Sequence, residues 1–93
     1  MTPKDKAEEL INNLYEINCK FIKAHTYKER ADRYKLLIPL CKANALYAVD
    51  EIIAISSDTK IVYTKITNNS ISEYTEHYYW TKVKQEIENA HQH

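Results

Sequence analysis

A mainly α fold follows from two features of this sequence. Apolar residues recur at three- and four-residue intervals in three separate stretches, and helix-start signals stand just ahead of them. The expectation is one domain over residues 1–93, a small bundle of three long helices plus a short basic helix. A short β-hairpin before the last helix is an open option.

The first start signal is Thr2–Pro3. Threonine caps, proline takes the first helical position where its missing N–H costs nothing, and Asp5 follows three residues after the cap. Ala7, Leu10, Leu14, Ile17 and Phe21 form one row, with Ile11, Tyr15, Cys19 and Ile22 flanking it, so a helix is predicted over about 3–24. So wide a stripe packs against two neighbours, either two helices or a helix and another subunit. Because short chains make marginal cores, a homodimer through Ile11, Tyr15 and Ile22 is one expectation.

Thr26 with Glu29 three residues on is a capping-box pattern, opening a short helix over about 27–37. Pro39 disfavours helix at Ile38; the chain either breaks there or continues with a kink. The stretch 39–56 is the strongest helix: Cys41, Ala45, Ala48 and Ile52 lie beside Leu46, Val49 and Ile53, while Lys42, Asn44, Tyr47 and Glu51 are expected to face outward. "KIVYTKIT" is β-branched and Asn68–Asn69 reads as a turn. An irregular loop or a frayed helix is nonetheless preferred over a two-stranded hairpin between 60 and 72. Ser70 with Glu73 makes another capping-box pattern, and Ser72 is an alternative cap. Trp80, Val83, Ile87 and Ala90 then predict a helix over about 72–90, with Tyr74, Tyr78 and Lys82 on its outward face.

Composition narrows the function classes. There is no glycine, so phosphate-cradling loops, whose close backbone approach needs it, are excluded. No apolar run approaches the ~20 residues of a membrane span. No signal peptide is evident, and the cytoplasm is the default location. Two cysteines do not make a disulfide framework; Cys19 and Cys41 lie on apolar stripes and read as small buried hydrophobes. His25, His77, His91 and His93 lack metal-ligand spacing. Asp50 and Glu51 are adjacent on a helix and point about 100° apart, so they cannot flank one substrate; Asp50 is expected to pair across helices. No nucleophile and base combine, no catalytic residue is assigned, no cofactor is expected, and an enzyme is not indicated.

The net charge is zero but unevenly spread: −2 over residues 1–18, +5 over 19–42 and −3 over 43–93. The basic stretch Lys20–Lys35 interleaves Lys20, Lys23, Lys28, Arg30, Arg33 and Lys35 with Phe21, Tyr27 and Tyr34. Lys28, Arg30 and Arg33, with Tyr27 and Tyr34, are expected to form one exposed patch for an acidic protein surface or for nucleic acid. The plainer alternative is a solvated face with local pairs Glu29–Arg33 and Asp32–Lys35. Eight tyrosines point to contact surfaces, where tyrosine is enriched, or to boundary positions over a small core. Tyr74, Tyr78 and Lys82 form the second candidate surface.

Three segments, "TPKDKAEELINNLY", "CKANALYAVDEII" and "YYWTKVKQEIE", carry a resemblance. They are similar, in this order, to a family of small uncharacterised proteins encoded by phages and prophages of Bacteroidetes bacteria. The match covers under half of the chain, and the "IVYTKITNNS" connection and the basic stretch depart from the family pattern. The resemblance implies a small accessory protein inside a bacterial cell and transfers no site residue. The expected function is therefore an interaction protein, an inhibitor or modulator of a host defence such as an RNA-guided nuclease (an anti-CRISPR role). Its partner would be a host protein or ribonucleoprotein with an acidic surface. A small nucleic-acid-binding or regulatory protein using residues 20–35 is the alternative.

Overall fold

The computed structural model describes residues 1–23 and 26–90. Three helices and one hairpin follow in the order α1 (Pro3–Cys19), α2 (Tyr27–Ile55), β1 (Ile61–Ile66), β2 (Ile71–Thr75) and α3 (Glu76–Asn89). Two expected helices are thus one, and a hairpin stands where a loop was preferred.

The α1 cap is as the sequence predicts: the Asp5 amide donates to Thr2 Oγ1 at 3.1 Å, with Pro3 in the first turn. The helix ends at Cys19, short of the expected 24. The amides of Lys20 and Phe21 donate to the carbonyls of Ile17 and Asn18, a tighter three-residue spacing that closes the last turn. Phe21 and Ile22 consequently leave the stripe and are exposed. The expected continuation at residue 24 lies outside the described residues.

At the start of α2 both arms of the capping box form: Glu29 N–H to Thr26 Oγ1 at 3.1 Å, and Thr26 N–H to Glu29 Oε2 at 3.3 Å. Helix α2 then runs through Pro39, which marks neither a start nor an end. Proline forfeits one backbone hydrogen bond, to the carbonyl of Lys35. Tertiary packing offsets that loss, because Ile38, Cys41, Ala45 and Val49 stay in phase on one buried face only if the helix is unbroken. Ala48, expected inward, is exposed, whereas Lys42 is half-buried and donates to the carbonyls of Glu88 and Ala90 at 3.3 and 2.7 Å.

Helix α3 is capped by Thr75, whose Oγ1 accepts from the Tyr78 amide at 3.2 Å; Ser70 and Ser72 are not caps. Ser70 lies in the hairpin turn, bonded to Thr67, and Ser72 and Glu73 pair with Lys65 and Thr64 in the antiparallel ladder. The hairpin holds because Tyr63 and Tyr74 are cross-strand partners, with ring centroids 5.2 Å apart, and Tyr63 also meets Tyr79 of α3 at 5.8 Å. A lone hairpin is marginal in water; docking on a helix supplies the missing burial. Glu76 anchors its base, accepting from the Ser57 amide at 3.1 Å while its own amide donates to the Lys60 carbonyl at 2.8 Å.

The core lies among the three helices, with Ile11, Cys41, Val49, Val83 and Ile87 fully buried. Full burial of each large aliphatic stabilises the fold by about 1.5–3 kcal/mol. Of the residues named for a dimer through α1, Ile11 is therefore covered within one chain, Tyr15 is half-buried against this core and Ile22 is exposed. Helix α3 spans only the second half of α2, from Lys42 near Ala90 to Ser56 beside His77. Among the described residues, the first half of α2 lies beside the end of α1, through Tyr15–Tyr34 and Arg33–Ile22. The molecule is accordingly elongated, 48 × 32 × 21 Å with a radius of gyration of 15.9 Å, against about 12 Å for a compact chain of this length.

Candidate functional site

The cleft between the hairpin, α3 and the N-terminus gathers tyrosines and lysines. Tyr63, Tyr74 and Tyr78 line it together with Lys4, Lys65 and Lys82, enclosing about 330 Å³. Each group is placed by local structure. Residues two apart on a strand share a face, so Tyr63 and Lys65 point the same way, and the ladder sets Tyr74 opposite Tyr63. The Thr75 cap turns the chain from β2 into α3, which stacks Tyr78 against Tyr74 at 4.8 Å with the planes 68° apart. Lys82, one helical turn on, holds its ammonium 5.3 Å from the Tyr78 ring centroid. Lys4 enters from the first turn of α1. That turn is moored to α3 by the Tyr79 hydroxyl, which donates to the Met1 carbonyl at 3.0 Å.

Three ammonium groups face one carboxylate in this cleft, that of Glu86. The rings meet edge to face, the arrangement that the aromatic quadrupole favours. Such a wall offers hydroxyl donors, ring faces and positive charge at once. It suits a protruding anionic group with a flat or apolar body.

Sequence reasoning found Tyr74, Tyr78 and Lys82 but placed all three on one helix. Tyr74 is in a strand, and the juxtaposition survives because β2 leads directly into α3. Tyr63, Lys65 and Lys4 were missed. The only local trace was the i, i+2 pairing of Tyr63 with Lys65 in a β-branched run.

The basic stretch is arranged differently from the expectation. Tyr27 is 87% exposed and lies beneath the Arg30 guanidinium, 5.5 Å from ring centroid to Cζ. Lys28 and Arg30 are exposed, but at 100° per residue they project about 160° apart around α2. Arg33 is half-buried and donates from Nη1 to the Ile22 carbonyl at 2.9 Å. It ties the end of the α1 segment to α2. Tyr34 packs edge-on against Tyr15 at 5.5 Å. Lys28, Arg30 and Arg33 thus do not form one face; of the five residues expected in the patch, Tyr27, Lys28, Arg30 and Tyr34 (41% exposed) are exposed and Arg33 is half-buried.

The remaining chemistry-bearing groups serve the fold. Asp50 accepts from Lys84 Nζ at 2.9 Å, the expected interhelical pair, which holds the Lys84 pKa above the usual lysine range. Cys19 and Cys41 are free; Cys41 is buried, and burial pushes its thiol up, away from the reactive thiolate. His77 lies 3.1 Å from Ser56 Oγ and 3.9 Å from Asp58. His25, His91 and His93 lie outside the described residues. Among the described residues no group of three metal-ligating side chains comes together, and no helix is long and apolar enough to cross a membrane.

The fold and cleft define a small three-helix protein with a hairpin docked on its last helix. No family model matches the chain, and no curated protein or solved structure is significantly similar to it.

Proposed function

We propose that this protein is a non-catalytic binding protein that acts by occupying an acidic surface of a larger partner. The convergence of Tyr63, Tyr74 and Tyr78 with Lys4, Lys65 and Lys82 around one cleft carries this reading. Tyrosine supplies broad contact area at low cost in side-chain entropy, and lysines set the sign of the partner. The exposed Tyr27 with Arg30 stacked on its ring, at the start of α2, offers the same chemistry at a second place. The phage-like sequence resemblance supports a bacterial host protein or ribonucleoprotein as the partner, and inhibition or modulation of a host defence, such as an RNA-guided nuclease, as the outcome. The site of action would then be the host cytoplasm.

Tyrosines beside lysines also suit a single strand of nucleic acid, with bases on rings and phosphates on ammonium groups. One experiment separates the two. The tagged chain is used to capture partners from a Bacteroidetes host lysate, with and without nuclease treatment, beside a cleft variant (Tyr78→Ala with Lys82→Glu) and a helix-start variant (Lys28→Glu with Arg30→Glu). A partner that survives nuclease and is lost from the cleft variant supports the proposal. Capture unaffected by either variant overturns it. Direct binding of single-stranded RNA or DNA, with log K falling steeply against log salt, would establish the nucleic-acid reading instead.

A further inference from the structure

The cleft between the hairpin, α3 and the first turn of α1 holds polar groups that the fold leaves unused. Three lysines elsewhere are paired: Lys6 with Glu9, Lys60 with Glu76 and Lys84 with Asp50. Among the described residues, the cleft lysines Lys4, Lys65 and Lys82 are in no ion pair. They stand on three different elements, α1, β1 and α3, and Lys82 donates only to the neutral Gln85 side chain, at 3.5 Å. With Glu86 the one carboxylate lining it, the cleft carries two net positive charges. The phenols show the same contrast. The Tyr79 hydroxyl is bonded to the Met1 carbonyl, whereas those of Tyr63, Tyr74 and Tyr78 have no hydrogen-bond partner among the described residues.

We propose that this cleft binds a nucleoside 5′-monophosphate, its phosphate on Lys4, Lys65 and Lys82 and its nucleoside on Tyr63, Tyr74 and Tyr78. The charge count selects the phosphate. A phosphate monoester carries about −1.5 to −2 at neutral pH and offers three strong acceptor oxygens, which matches two spare positive charges. A carboxylate or a phosphodiester brings one charge and leaves the other uncompensated. Lysine serves such a group as a point-charge ligand, and the first turn of α1 adds the positive end of its dipole at the rim.

The tyrosines select the body that carries the phosphate. Tyr78 is 44% exposed and offers ring surface on which a base can stack. Three phenol hydroxyls each donate and accept, so they suit the polar edges of a base and its ribose; the phenyl ring of a phosphotyrosine has none. The volume of about 330 Å³ is at the small end of small-molecule sites and fits one nucleotide rather than a run of them. That nucleotide is either free or the 5′-phosphorylated end of a strand, with the same chemistry in both. This inference rests on the cleft being the binding site proposed above, and it names the acidic group taken there.

The test is a titration of the isotope-labelled full chain with adenosine 5′-monophosphate, followed by amide chemical shifts. Saturable shifts at Lys4, Lys65 and Tyr78 with a Kd below about 1 mM are expected. Adenosine, inorganic phosphate and the singly charged 3′,5′-cyclic monophosphate should each bind at least about fivefold more weakly, as should the monophosphate to Lys65→Glu or Tyr78→Ala. Should Tyr78→Ala disturb the fold, Lys65→Glu, at an exposed strand position, stands alone. A 5′-phosphorylated tetranucleotide that binds more tightly than the monophosphate and than its 5′-hydroxyl form identifies a strand end; preference for the monophosphate identifies a free nucleotide. Absence of saturable binding, shifts away from the cleft, equal binding of the cyclic form, or tighter binding of a phosphotyrosine peptide overturns the inference. In that event the acidic-surface reading still stands if the cleft variant loses its captured partner. Nucleotide binding beside capture that the cleft variant leaves intact overturns that reading alone.

Discussion

The two halves of α2 are one continuous helix in different surroundings. In the second half, Cys41, Ala45 and Val49 are shut between α1 and α3, at most 1% exposed. In the first half, Leu37 and Ile38 are buried, while Tyr27, Leu36 and Leu40 stand open. Where two helices cover a third, burial supplies the stability and the surface is left to charge. Where one helix covers another, local devices hold the chain, namely a capping box, the Arg33 tie to the Ile22 carbonyl and the Tyr15–Tyr34 contact. The half with the smaller core leaves more of its apolar and basic side chains exposed.

Substitutions should separate the halves. The largest effect belongs to the caged half: Ile87→Ala removes a fully buried side chain of the core and should cost about 2–5 kcal/mol, measured by urea denaturation of the whole domain. Phe21→Ala at the open end, where the ring is 82% exposed, should stay within about 0.5 kcal/mol; a loss comparable to that of Ile87→Ala would mean that the two halves form one core.

Pro39 sits at the boundary. In a continuous helix Pro39→Ala restores a backbone hydrogen bond and should raise stability by about 1–3 kcal/mol. Amide exchange should slow from residue 27 to 38. No gain would indicate that the ring itself packs usefully at this exposed position.

Thr26→Ala removes one arm of the capping box, worth about 1 kcal/mol. The first turns of α2 should exchange faster while the urea midpoint barely moves. An equal loss in the whole-domain transition would show the halves to be fully coupled.

The smallest effect at neutral pH is the alkaline one, and it resides in the caged half. Burial raises the Cys41 thiol; burial, followed by the nearby Tyr63, Asp5 and Glu9, raises the Tyr79 hydroxyl; the hydrogen bond to Asp50 raises Lys84. All three are raised on folding. Their contributions are therefore complete below each group's ordinary range and are lost as pH rises through the folded value. Thermal melts should be flat up to the thiol range and decline above it, and Tyr79→Phe should make the decline shallower. A melt that strengthens above the phenol range would contradict these directions.

Much of the fold was legible in the residues. Thr2–Pro3 and Thr26–Glu29 announced helix starts because a cap is a contact among neighbours in sequence. Asp50 was assigned to an interhelical pair because it and the adjacent Glu51 point about 100° apart and cannot flank one substrate. The α3 cap was misplaced because two Ser/Glu patterns stand ahead of Thr75, and only strand pairing removes them from contention. Half of the Tyr–Lys cleft stayed hidden, since Lys4 and Tyr63 reach Tyr78 only through the packing of α1 and the hairpin on α3.

By itself the sequence determined the helix periodicities, the first two caps, the apolar side of each helix and the uneven spread of charge, all set by residues within a turn or two of one another. Tertiary structure decided whether α2 continues through Pro39, whether 61–75 pairs as a hairpin, and whether the basic residues share a face. In each case the local preferences were nearly balanced. The apolar area gained by keeping Ile38, Cys41, Ala45 and Val49 in phase, and by docking Tyr63 and Tyr74 on α3, exceeded the local cost.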